Sequence, residues 1–235
     1  MTGRLAGKVA LSTGGTRGQG QSRRLGGITD AKVLSAMAAV SRKDFVLPES
    51  LPLVRVDAPL SIPCGQTTSQ PSLIALMLQA LQLTGRETVL EVGTGLGYEA
   101  ALLGRLAEMV WTIEIFPELA IIARANLSRT GSTNVRVVVG DGSEGLPAHA
   151  PYDAMVLAAA IPRLSAALVD QLAEGGRLVA PLGRGGDEVV TLFVKQDGRL
   201  NEGSVLTPAR FVPMLATGKD TNRLPRRDAP SAGPR

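Results

Sequence analysis

The stretch from residue 88 to 98, Thr-Val-Leu-Glu-Val-Gly-Thr-Gly-Leu-Gly-Tyr, constrains this chain more than any other. Residues 88–92 form a β-branched and aliphatic run that fits a buried parallel strand. The run ends in Gly93, Gly95 and Gly97, and residues 100–106 then read as a packed helix. Glycine at a strand-to-helix turn lets the backbone approach a ligand closely, because no Cβ stands in the way. The spacing is Gly-x-Gly-x-Gly, not the Gly-x-Gly-x-x-Gly of dinucleotide binders, and Glu91 stands just ahead of it. A turn that only joins strand to helix is the plainer alternative.

Downstream the pattern repeats. Residues 110–114 read as a second strand ending in Glu114, where a carboxylate can accept both hydroxyls of a ribose. A helix is expected over 119–127, and a third strand over 134–139 running into Gly140, Asp141 and Gly142. An acid there can accept from an adenine amino group. A fourth strand spans 152–158, then a helix reaches about Ala173 with Gly175 and Gly176 as its cap. Further strands are expected over 177–181, 188–196 and 209–214. Strands alternating with helices predict an α/β fold with a mostly parallel sheet covered on both faces. Ligands of such sheets bind at the carboxyl ends of the strands, where Glu91, Gly93, Glu114 and Asp141 all fall.

Upstream, apolar residues at 33, 34, 37 and 40 are spaced for one helix face, with Asp30 as N-cap. Gln66, Thr67, Thr68, Ser69 and Gln70 then gather hydroxyl and amide groups directly before Pro71. Proline suits a first helical turn, and Leu73, Ile74, Met77, Leu78 and Leu81 give that helix its apolar face. The cluster thus sits at a helix N-terminus, where free N–H groups and the dipole favour an anion. Ser69 acting only as a cap is the alternative.

Bulk properties exclude several classes. A chain of 235 residues can bury one substantial core. No apolar run approaches the ~20 residues of a membrane helix, and no secretory apolar core opens the chain, so the expected location is cytoplasmic. Cys64 and His149 are the only cysteine and histidine, which leaves little for a metal site or a Ser-His-Asp triad. His149 reads as a solvent-facing loop residue. The net charge of +4 concentrates in the two termini, with no aromatic platform, so neither nucleic acid nor membrane is an expected partner. A monomer is the expected state.

Residues 5–20 resemble the opening strand and Thr-Gly-x-x-x-Gly-x-Gly turn of short-chain dehydrogenases. A polar stretch with two closing glycines follows where a long apolar helix should stand. Those enzymes also use a Tyr-x-x-x-Lys pair, and here Leu102 and Val156 occupy the lysine positions after Tyr98 and Tyr152. Residues 1–26 therefore read as an atypical leader, 27–215 as the main domain, and 216–235 as a disordered basic tail.

From about Gly27 to Leu215 the chain resembles the protein-L-isoaspartate O-methyltransferase family, whose members use S-adenosylmethionine. The resemblance rests on Gly65-Gln-Thr-Thr-Ser-Gln-Pro71, the glycine-rich stretch of 89–98, and Gly140-Asp-Gly142. It also rests on Ala150-Pro-Tyr-Asp-Ala154, residues 171–181 and Arg210-Phe-Val-Pro213. It implies a doubly wound, mostly parallel seven-stranded sheet of the Rossmann-like methyltransferase type. It also implies Ser69 at the active-site serine position with Thr67 beside it. Glu91, Gly93, Gly95, Gly97, Glu114, Asp141 and Gly142 would hold S-adenosylmethionine, with no metal. The implied activity is methylation of L-isoaspartyl carboxylates in damaged proteins, as repair. Thr68, where the family usually has an aliphatic residue, and Cys64 depart from the pattern near the acceptor. Three alternatives therefore stand beside it: tailoring of an aspartyl peptide or small acid, an NAD(P)-dependent oxidoreductase acting through the leader, and an idle cofactor-binding module.

Overall fold

The computed structural model describes residues 27–183, 185–201 and 203–217. The dehydrogenase-like leader of residues 1–26 and the tail from 218 onward lie outside the described residues. Helix α1 (Ala31–Ala39) begins as its sequence dictates, with the Asp30 carboxylate accepting from the amides of Lys32 and Val33. Two short antiparallel strands follow, β1 (Leu60–Ser61) and β2 (Thr67–Thr68), and they hold the hydroxyl-rich loop in shape. Helix α2 (Pro71–Ala80) carries Pro71 in its first turn.

The alternating part of the chain then unfolds in order. It comprises β3 (Thr88–Val92), α3 (Tyr98–Leu103), β4 (Met109–Glu114), α4 (Pro117–Arg129) and β5 (Val135–Val139). After these come β6 (Tyr152–Leu157), α5 (Ala166–Gln171), β7 (Leu172–Leu182), β8 (Glu188–Gln196), β9 (Arg199–Leu200) and β10 (Ser204–Ala209). The main sheet runs β5-β4-β3-β6-β7-β8-β10, with the two-residue β9 attached to β8. Five neighbours from β5 to β7 are parallel, and β8 runs antiparallel to both β7 and β10. The expected seven-stranded, mostly parallel sheet is the one observed.

Side-chain alternation divides the core in two. Val89, Ala154 and Val179 join helices α1, α2 and α3 on one face. Leu90, Met155 and Leu178 meet Leu168 of α5 on the other. A parallel sheet buried on both faces requires apolar side chains at successive positions, which β6 supplies from Ala154 to Leu157.

Two expected boundaries move. The helix expected to reach Ala173 stops at Gln171, because Lys195 Nζ on β8 takes the carbonyls of Val169 and Leu172 and the chain turns extended there. Gly175 and Gly176 consequently lie within β7 and cap no helix. The last strand ends at Ala209 instead of spanning 209–214. Residues 210–215 leave the sheet edge and cross over the strand ends, held where the Ala160 amide donates to Val212 O and the Met214 amide donates to Ala160 O. His149, in the short helical turn Pro147–His149, stacks on Trp111 with ring centroids 3.4 Å apart.

Gly97 adopts φ +93°, and a Cβ there would stand 3.3 Å from Leu127 Cγ and 3.5 Å from Ala123 Cβ of α4. Gly97→Ala is therefore expected to lower the free energy of unfolding by about 1–2 kcal/mol, seen as an earlier urea midpoint. An unchanged midpoint would mean that the turn relaxes without cost.

Candidate active site

In a doubly wound sheet the crevice opens where the strand order reverses, and here the chain winds outward from β3 to β5 and then returns to β6. A cavity lies at the carboxyl ends of these four strands. Gly93, Thr94 and Gly95 line it after β3, Glu114 after β4, Gly142 after β5 and Ala158 after β6. Thr67, Thr68 and Ser69 close one side, and Val212 to Leu215 form a roof. A second groove runs from Pro59 and Leu73 to Arg210 and Phe211. Thr67, Ser69, Ala158 and Val212 belong to both walls. The hydroxyls therefore stand at the junction of two cavities.

The glycine turn is tightly specified. Gly93 and Gly95 have φ of +99° and +54°, a region L side chains rarely adopt. The Gly95 amide donates to Glu114 Oε2 at 2.8 Å, and the Phe116 amide donates to Oε1 at 3.0 Å. Glu114 thus ties the ends of β3 and β4 together. Burial raises its pKa while these amide bonds pull the other way. A Cβ at Gly142 would fall 2.6 Å from Val92 Cγ1 and 2.7 Å from Ile113 Cγ2, so only glycine fits the crevice floor there.

Not every expected site residue reaches the crevice. Glu91 is fully buried behind it, on the helix-facing side of β3, and accepts at 2.5 Å from Thr112 directly across on β4. Thr112 also exchanges a hydrogen bond with Thr94 Oγ1, so Glu91 reaches the lining only through two hydroxyls. Gly97 likewise lies outside the lining and serves the packing of the turn against α4. Asp141 sits beside its neighbour Gly142, with Oδ1 accepting from Ser143 and Oδ2 from the amide and hydroxyl of Thr217. These bonds hold its pKa below the ordinary aspartate value despite partial desolvation. Thr217, assigned to the tail by composition, thereby contacts the main domain.

The α2 start also departs from expectation. Its N-cap is Gln70, not Ser69, and the Ser72 amide donates to Asp57 Oδ1 at 3.0 Å. The chain's own carboxylate thus satisfies the helix start expected to attract an external anion. The loop is instead organised by Arg42, which is buried and was not singled out in the sequence. Its Nη1 donates to Val56 O, and its Nη2 to Ala58 O, Thr68 Oγ1 and Ser69 O. Thr68, the family departure, is therefore a partner in that fork. Cys64 takes a left-handed conformation at φ 60° and donates its thiol to Glu118; desolvation together with that carboxylate pushes its pKa up to about 11.

A second residue without an earlier signal is Glu99, on the first turn of α3. It lines the crevice yet is 6% exposed, and its Oε1 has no hydrogen-bond partner. Burial pushes its pKa up to about 8, and the adjacent Glu91, itself desolvated, is raised with it.

This strand order, with a glycine turn after the first parallel strand and an acid after the second, places the chain among Rossmann-like methyltransferase folds. The chain belongs to the protein-L-isoaspartate(D-aspartate) O-methyltransferase family, whose model matches residues 20–219. It is 51% identical over 191 residues to the protein-L-isoaspartate O-methyltransferase of Koribacter versatilis, covering 80% of this chain and 85% of that one. The relative of the same name from Aeropyrum pernix is 46% identical over 200 residues, covering 83% and 76%. A solved protein-L-isoaspartate O-methyltransferase superposes with a TM-score of 0.71 at 31% identity; the match covers 80% of this chain and spans 62% of that protein's length. A Plasmodium falciparum structure containing S-adenosyl-L-homocysteine has the same TM-score at 22% identity, over 80% and 92% of the two chains, and shows the shared fold.

The buried acids give stability a definite pH dependence. Unfolded glutamate titrates near 4.3, so between about pH 4.5 and 8 native Glu99 holds a proton that the unfolded chain has released. Stability is therefore expected to fall as pH rises through this window. Glu87, held down to about 2 by the Thr84 and Gly85 donors against partial desolvation, acts oppositely and costs stability only as pH falls below about 4.5. Urea midpoints measured across pH should decline from about 5 to 8, and Glu99→Gln should flatten that decline. An identical profile in the variant would contradict the assignment.

Proposed function

We propose that this protein transfers the methyl group of S-adenosylmethionine to the free α-carboxylate of L-isoaspartyl residues in damaged proteins or peptides. The observation that carries the reading is the double position of Thr67 and Ser69, on the wall of the glycine crevice and of the neighbouring groove. One cavity would hold the cofactor and the other the peptide, with the hydroxyls where the two meet.

The residues present fit such a cofactor. Gly142 packs directly against Val92 and Ile113 of the crevice lining, where a Cβ would clash, and Gly93 and Gly95 bring backbone to the crevice wall. Glu114 keeps unused lone pairs for ribose hydroxyls after accepting from Gly95 and Phe116. Asp141 beside Gly142 would accept from the adenine amino group, while Glu91 and Gly97 would act from behind by fixing the turn. When bound, S-adenosylmethionine supplies an electrophilic methyl group on a sulfonium.

The acceptor needs no general base. A carboxyl group of pKa ~4 is already ionised at neutral pH, and His149 is stacked on Trp111, outside the crevice lining. The acceptor oxygen forms the new C–O bond, and the electron pair of the broken C–S bond stays on sulfur. The chain's task is alignment, which can contribute roughly 7–11 kcal/mol. Ser69 and Thr67 donate hydrogen bonds that orient the carboxylate, and Arg42 fixes their loop through Ser69 O and Thr68 Oγ1. The resulting ester lets the adjacent backbone nitrogen close a succinimide with loss of methanol, and its hydrolysis returns part of the damage to aspartate. We place this activity in the cytoplasm.

Incubation with S-adenosylmethionine and matched isoaspartyl and aspartyl peptides, followed by mass spectrometry, tests the reading. One added methyl on the isoaspartyl peptide alone is expected. Methylation of only the aspartyl peptide would favour a tailoring enzyme, and methylation of neither would overturn the proposal. Ser69→Ala should lower kcat roughly 10- to 100-fold, the worth of one hydrogen bond to a charged group, while cofactor affinity stays unchanged.

A further inference from the structure

The crevice carries an electrostatic imbalance. Glu99 and Glu114 are the charged side chains on its lining, and among the described residues no lysine, arginine or histidine faces them from that lining. Glu114 is satisfied by two backbone amides. Glu99 is not: its Oε1 lies buried with no partner among the described residues. Buried polar atoms in folded proteins are almost always bonded, so an orphaned carboxylate oxygen in a cavity wall calls for a donor from the occupant. Glu91 stands behind it on β3, so the neighbouring charge supplied by the described residues is of like sign. A neutral or anionic occupant would leave this acidity uncompensated, whereas a cationic one would relieve it.

On the reading that the crevice holds S-adenosylmethionine, we propose that Glu99 is the anion that receives a positive charge of the cofactor's methionine half, either its α-ammonium or its sulfonium. Nothing in the glycine motif assigns this role, because the residue lies beyond the turn, on α3. Glu99 is thus a determinant of cofactor binding, distinct from the hydroxyls that face the acceptor. Burial keeps the carboxyl protonated until a cation arrives, because the charged form is costly in that wall.

Isothermal titration calorimetry of wild type and Glu99→Gln with three ligands tests this. S-adenosylmethionine carries both charges, S-adenosylhomocysteine only the ammonium, and 5′-methylthioadenosine neither. Glu99→Gln should weaken S-adenosylmethionine roughly 10- to 100-fold and leave 5′-methylthioadenosine unchanged. An equal loss for S-adenosylhomocysteine identifies the ammonium as the partner, and its retention identifies the sulfonium; either supports the proposal. Equal weakening of all three ligands, or no weakening of S-adenosylmethionine, overturns it. If the wild type binds none of the three, the functional reading itself falls, whatever the variant does.

Discussion

In a parallel sheet every strand finishes at the same edge, so the backbone groups at those ends have no partner further along. Here β3 to β6 deliver that edge, and the reversal of winding beside β3 keeps helices from covering it. The remaining features follow from this opening. Glycines turn the chain away without side chains, Glu114 satisfies two of the freed amides, and residues 210–215 are drawn across as a roof through their bonds to Ala160. Both faces of the sheet are buried, so the strands cannot slip without moving apolar side chains into the wrong layer.

A second layer of organisation sits beside that edge. The hydroxyl loop lacks regular structure of its own apart from a two-residue ladder, and Arg42 supplies the missing constraint. Its planar fork reaches acceptors on two chain segments, around Val56 and around Ser69, which a lysine's point charge would not orient in the same way. Burial lowers the guanidinium pKa, yet Asp57 and Tyr98 nearby favour its charged form. Asp57 also closes the start of α2, so the loop's hydroxyls, not the helix dipole, are what the crevice and groove receive. On the proposed reading, positioning of an acceptor would thus depend on a buried ion that touches none of the reacting atoms.

Much of this was legible in the sequence because it is local. The run of 88–92 with its glycines, the acid at Glu114, the Asp30 cap and Pro71 in a first turn all act within a few residues of themselves. What escaped is non-local or depends on which way a side chain faces. Glu91 sits in the motif, but alternation along β3 turns it toward α3 and Thr112, away from the crevice. Glu99 reads as one polar residue on an apolar helix, and its importance arises only when β3 and β4 bring two more acids near it. Arg42 binds loop atoms up to 27 residues away. The end of α5 was set by Lys195 on β8, a contact without local signature.

Central to the account is that one carboxylate-binding point, at Ser69 and Thr67, lies between a cofactor crevice and a peptide groove. A crystal structure of the protein with S-adenosylhomocysteine and an isoaspartyl peptide tests it most directly. The account predicts the nucleoside against Glu114 and Gly142, the peptide in the groove toward Arg210, and the free α-carboxylate of its isoaspartyl residue about 2.6–3.2 Å from Ser69 Oγ. A peptide carboxylate bound away from Ser69, or a nucleoside outside the glycine crevice, would contradict it.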